Sequence, residues 1–123
     1  MKNATSNPFA PRPKPPVLSE ELRIEKSLSG EGLYLNYYVG SDCYPYKVCE
    51  VSPSGKTVLA KQMGHRFQEG AEDYSNRWEY FEDERYKTEK FTLRKSGVWK
   101  KVGKRVSCAY PSWSPRYYRD YSF

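Results

Sequence analysis

Little of this 123-residue chain is apolar: 37% of its residues are hydrophobic, and nothing approaches the roughly 18 consecutive apolar residues of a membrane-spanning helix. Residues 1–16 also lack the apolar stretch of a secretory signal, which predicts a soluble protein that stays in the cytoplasm where it is made. Histidine is reduced to one, His65, flanked by Gly64 and Arg66, so general acid–base chemistry at neutral pH loses its commonest carrier. A glycine-rich phosphate loop, a nucleophile elbow, an HExxH motif and paired carboxylates are all missing. The acids Glu82, Asp83 and Glu84 are consecutive, and in extended chain they point alternately to opposite faces. These absences describe a binding protein rather than an enzyme, with no cofactor.

Cysteine is scarce as well. Cys43, Cys49 and Cys108 are an odd number in a chain with no export signal, which argues for free thiols. With His65 they could in principle supply four metal ligands. Cys43 and Cys49, however, flank a strand-like stretch of six residues that spans roughly 20 Å, and two thiolates on one zinc must each sit about 2.3 Å from it. Buried or idle thiols are expected, and no metal.

What is abundant is tyrosine, with 12 residues, and positive charge, with a net +6. The charge is not spread evenly. Residues 91–123 carry Arg94, Lys95, Lys100, Lys101, Lys104, Arg105, Arg116 and Arg119 against the single acid Asp120, interleaved with Trp99, Tyr110, Trp113, Tyr117, Tyr118, Tyr121 and Phe123. Residues 70–90 have seven acids against four bases. Arginine grips phosphate oxygens with a planar fork of donors, and aromatic faces stack on bases or on the guanidinium itself. The basic third therefore suits phosphates and bases.

A chain of this length buries roughly 65% of the surface it exposes when unfolded, enough for one domain. Residues 1–17 hold five prolines and read as an extended arm, ordered or not, ahead of a single β-rich domain over 18–123. From Ser19 a short helix is predicted, with Ser19 as N-cap, Glu20 and Glu21 at the positive end of its dipole and Gly30 as its stop. Beyond Gly32 the sequence turns to strand formers over 33–39, 44–51 and 57–63. A two-residue loop at Ser54 and Gly55 would set Val51 opposite Val58 and Cys49 opposite Ala60. A second hairpin around Ser96 and Gly97 would put Phe91, Leu93, Val98 and Val102 on one face and Thr92, Arg94, Trp99 and Lys101 on the other. Residues 63–78 read as a long loop or short helix, 77–81 as a strand and 115–123 as a final strand. The fold expected is mainly β (α+β): a small antiparallel sheet or barrel-like domain with one or two short helices.

In a final strand, Arg116 and Tyr118 share one face and Tyr117 and Arg119 the other. The alternative reading has Tyr117 or Tyr118 in the core and the arginines paired with the acidic stretch.

Four segments, residues 41–46 (SDCYPY), 51–57 (VSPSGKT), 93–99 (LRKSGVW) and 116–123 (RYYRDYSF), resemble in order and spacing the first family of Thoeris anti-defence sponges of phages and prophages. The resemblance covers roughly residues 33–123. It implies a protein, working in the cytoplasm of an infected bacterium, that binds the cyclic ADP-ribose isomer (gcADPR) made by TIR-domain enzymes and holds it without cleavage. It also implies related cyclic nucleotides as further ligands, and a homo-oligomer, dimer or larger, with pockets between subunits. Arg116, Arg119, Tyr117 and Tyr118, with Arg94, Trp99 and Arg105 from the rest of the basic third, are the expected ligand-binding residues. Ser96, where similar sequences tend to have Asn, and the divergent 63–78 segment are departures. Two other classes fit the composition: a basic nucleic-acid-binding module, and a protein–protein inhibitor of a defence nuclease.

Overall fold

The computed structural model describes residues 14–68, 78–104 and 107–119. It contains a helix, α1 (Glu20–Leu28), and seven strands: β1 (Tyr34–Val39), β2 (Asp42–Val51), β3 (Thr57–Phe67), β4 (Trp78–Glu82), β5 (Thr88–Leu93), β6 (Trp99–Lys101) and β7 (Cys108–Ser112). The helix starts where its cap dictates. Ser19 is extended and its Oγ accepts the Leu22 N–H at 3.1 Å, and the chain leaves through Gly30 at φ +82°, a region open to glycine.

Six strands run β2-β1-β7-β6-β5-β3, and β3 pairs back onto β2, so every join is antiparallel and the sheet closes into a barrel. Closure abolishes the sheet edges that a small β domain must otherwise protect. The interior is built from Leu35, Tyr37, Tyr46, Val48, Val51, Val58, Phe91, Trp99 and Ala109, with Leu18, just ahead of α1, in the same cluster. Tyr37, Tyr46 and Phe91 meet edge to face at 5.1 to 5.8 Å, the arrangement favoured by the ring quadrupoles. One polar group reaches in with them: the Lys101 ammonium bonds Glu89 at 2.9 Å and lies 5.0 Å from the Tyr37 ring centroid.

The first hairpin has Val51 opposite Val58 as the sequence predicts, but a bulge lies between Val48 and Glu50. Cys49 does not face Ala60. Val48 takes that place, and the extra residue turns both Val48 and Val51 into the barrel although they are three apart. The second hairpin slips by one. Arg94 N–H bonds Val98 O at 2.8 Å and Leu93 pairs with Trp99, leaving a three-residue loop of Lys95, Ser96 and Gly97. A one-residue slip exchanges the faces of one strand against the other. Phe91, Leu93, Trp99 and Lys101 therefore point inward, and the expected cationic face of Arg94, Trp99 and Lys101 is not formed.

Strand β3 runs on to Phe67, so residues 64–67 are strand rather than the expected loop; 69–77 lie outside the described residues. Past Gln62, β3 leaves β2 and pairs instead with β4 as a ribbon beside the barrel. The seam opens at Pro45. Cys43 points its N–H away from β1, and Pro45, two residues on, has no N–H to give on that side. The freed edge of β2 is taken by the chain's tail: Cys43 N–H bonds Tyr118 O at 2.7 Å and Tyr118 N–H bonds Cys43 O at 2.9 Å. Of the final strand expected over 115–123, residues 115–119 form a single bridge at Tyr118 and 120–123 lie outside the described residues; the last strand among the described residues is Cys108–Ser112.

Candidate ligand-binding site

Strand alternation puts Leu35 and Tyr37 inside the barrel and Asn36 and Tyr38 outside it. On the same outer face β7 brings Tyr110 against Tyr38, with ring centroids 5.8 Å apart and planes at 67°. The tail then folds across Asn36. The Asn36 amide donates to Ser114 O at 3.2 Å and its Oδ1 accepts the Arg116 N–H at 3.1 Å. One buried side chain thereby does for residues 114–116 what a ladder strand would do. The Cys43 thiol donates to Arg116 O at 3.4 Å, and the Tyr80 hydroxyl accepts the Tyr117 N–H at 2.7 Å. Residues 114–118 are thus held by β1, β2 and β4 at once.

The result is an open trough along the β1–β7 exterior. One half, about 320 Å³, is lined by Asn36, Tyr38, Tyr110, Ser112, Ser114 and Arg116. The other, about 550 Å³, is lined by Tyr38, Gly40, Cys108 and Tyr110. Tyr38 and Tyr110 form the partition common to both. Volumes of this order hold nucleotide-sized ligands. Burial raises the Tyr38 pKa, and the Arg116 guanidinium, which lines the same half of the trough, opposes that rise. Burial likewise raises the Cys43 thiol pKa, disfavouring the thiolate. No group of three or more His, Cys, Asp or Glu that could hold a metal occurs among the described residues.

The sequence-predicted residues divide sharply. Arg116 lines the trough and is exposed. Arg119 and Tyr118 are exposed, with Arg119 acting on Tyr44, on the β2 side. Tyr117, expected as a contact, is instead 9% exposed. Its ring stacks on His65 at 3.6 Å, meets Trp78 edge-on at 5.0 Å and lies 5.9 Å from Tyr44. It is the plug that anchors the tail. Trp99, expected beside Arg94 on a presented face, is 4% exposed inside the barrel because of the register slip. Arg94 sits exposed at the β5–β6 hairpin and lines neither half of the trough. Arg105 lies outside the described residues. Asn36, Tyr38 and Tyr110 went unassigned in the sequence; the one local signal was an asparagine in a strand, where that residue is depleted.

The chain is, by its fold, a closed six-strand antiparallel barrel with a two-strand side ribbon. No family model, curated protein or solved structure matches it. No helix among the described residues is long and apolar enough to cross a membrane.

Proposed function

We propose that the protein sequesters a small cyclic nucleotide, of the cyclic ADP-ribose isomer class, in the trough between β1 and β7. The observation that carries this reading is the placement of the exposed Arg116 beside the Tyr38–Tyr110 pair, over concavities of about 320 and 550 Å³. A cyclic ADP-ribose isomer offers a pyrophosphate and an adenine. Arg116 suits the first and the phenol faces the second. The motif resemblance motivates the choice of ligand, and the size and lining of the trough are in keeping with it.

A scarce signal is removed only by nanomolar binding or better, about −12 kcal/mol. An open trough reaches that range more readily if a second copy covers it. Support for a second copy comes from Val17, ahead of α1, and from Ile24 and Leu28 on it, which are 83, 44 and 84% exposed; the helix has no buried residue of its own.

The deciding experiment incubates the protein with the TIR product, denatures it and assays the released nucleotide. Intact messenger recovered in stoichiometric amount supports sequestration. Absence of captured messenger would sink it, and recovered cleavage product would make the protein an enzyme.

A second reading has its own observation. The β5–β6 hairpin exposes Lys90, Arg94, Lys95 and Lys104 with no acid among residues 90–104, a surface for a nucleic-acid backbone. Oligonucleotide binding there would weaken steeply with salt, whereas a small messenger, which makes few phosphate contacts, would lose less affinity.

A further inference from the structure

On another side of the barrel, the C-terminal half of α1 and the connector into β1 stand over β2 and leave a partly enclosed cleft of about 210 Å³. Its walls include Arg23, Ser27, Glu31, Gly32 and Lys47. None of these residues lines the trough. Arg23 and Ser27 are four apart on α1, so both present to the same side of the helix.

The Arg23 Nε is buried and has no hydrogen-bond partner. Buried donors without partners are rare in native proteins, and each calls for an explanation. This one cannot be relieved by titration, because a guanidinium keeps its proton.

The other charges around the cleft are committed elsewhere. Lys47 holds Glu82 at 2.9 Å, and Glu31 is turned to Lys26 at 3.2 Å and to the Ser29 hydroxyl at 3.1 Å. Arg23 forms no ion pair among the described residues, so its positive charge is the one left uncompensated in the cleft. At roughly 30 Å³ per water, the space holds a tetrahedral oxyanion with a few waters. It is too small for a whole nucleotide.

We propose that this cleft is a phosphate-group site. The Arg23 guanidinium is its central donor, the Ser27 hydroxyl its second, and the Lys47 ammonium supplies longer-range attraction. The phosphate is either the free ion or the terminal group of a larger molecule whose remainder lies outside the cleft; the chemistry that binds it is the same.

The test is a titration of the full ¹⁵N-labelled chain with inorganic phosphate, at ionic strength held constant with chloride and read at the arginine Nε–Hε resonances. The Arg23 resonance should shift saturably. In Arg23→Gln, phosphate affinity measured by calorimetry should fall at least about tenfold, which is ~1.4 kcal/mol, while exposed Lys56→Gln leaves it unchanged. A parallel titration with AMP separates the two sources: tighter binding than phosphate indicates a terminal phosphate, and equal binding the free ion. Absence of a saturable shift at Arg23, or wild-type phosphate affinity in Arg23→Gln, overturns the proposal. The wild-type spectrum decides the matter alone if the variant does not fold.

Discussion

The imidazole of His65 lies flat on the phenol of Tyr117, with ring centroids 3.6 Å apart and planes within 16°. His65 belongs to β3 beyond the barrel seam and Tyr117 to the tail that carries Arg116, so this stack fixes the tail to the ribbon. Burial lowers the His65 pKa, which means the folded protein resists a proton that the unfolded chain accepts near pH 6.5.

The sign follows directly. A histidine whose folded pKa is depressed favours the fold above its unfolded pKa and costs stability as pH falls through about 6.5 toward the folded value. Urea midpoints at pH 8 and pH 5.5 should therefore drop more for the wild type than for His65→Phe, which keeps a flat ring and cannot titrate. Equal drops would show that His65 does not contribute.

Asn36→Leu removes both bonds that hold residues 114–116 and leaves the Arg116 N–H and Ser114 carbonyl without their partner. A loss of about 2 kcal/mol in chemical denaturation is expected, two modest bonds plus the cost of orphaned groups. Messenger affinity should fall as well, because Arg116 loses its seat. Wild-type stability and affinity together would refute this account of the tail.

Gly64 sits opposite Phe81, whose ring lies where a side chain would go: a Cβ at 64 would meet ring carbons at 2.6 and 2.7 Å. Gly64→Ala should cost about 1–3 kcal/mol through overpacking. Adding Phe81→Leu should recover part of that loss, a non-additivity readable in a double-mutant cycle.

Two aromatic truncations should separate core from site. Trp99→Ala empties the barrel interior and should cost about 3–5 kcal/mol of stability. Tyr110→Ala, at a residue 50% exposed, should leave the thermal midpoint nearly unmoved while weakening messenger capture. Arg116→Ala should lower that affinity by at least about 1.5 kcal/mol, the low end for a charge-assisted bond. Reversal of the Trp99 and Tyr110 effects would mean the two rings have been assigned the wrong roles.

Local chemistry made part of the fold legible in the sequence. Ser19 and Gly30 bracket α1 because a cap and a left-handed stop act within a few residues of themselves. The Val51–Val58 pairing was readable for the same reason, since a turn fixes its nearest rungs. The faces of the second hairpin were not. A three-residue loop ending at Gly97, φ +89°, looks in sequence like a two-residue one, and the difference exchanges Trp99 with Val98. β3 ran past Gly64 because Phe81 covers the missing side chain, a contact supplied by another strand. Of the site, Arg116 was legible from the mixing of charge with aromatics. Tyr38, Tyr110 and Asn36 become a site only when β1 meets β7 and the tail, and Asn36 lies 78 residues from Ser114.

The trough draws its floor from the barrel and its cation from the tail, and the tail is held by the Tyr118 bridge, the Asn36 amide, the Cys43 thiol, the Tyr80 hydroxyl and the His65 stack. A ligand gripping Arg116 over the Tyr38–Tyr110 floor would span two parts of the chain that can separate. Whatever free energy docking of the tail adds to ligand affinity, a bound ligand must return in full to the docking of the tail. Capture would then register as protection of residues 114–118 from hydrogen exchange, even where the barrel itself is unchanged.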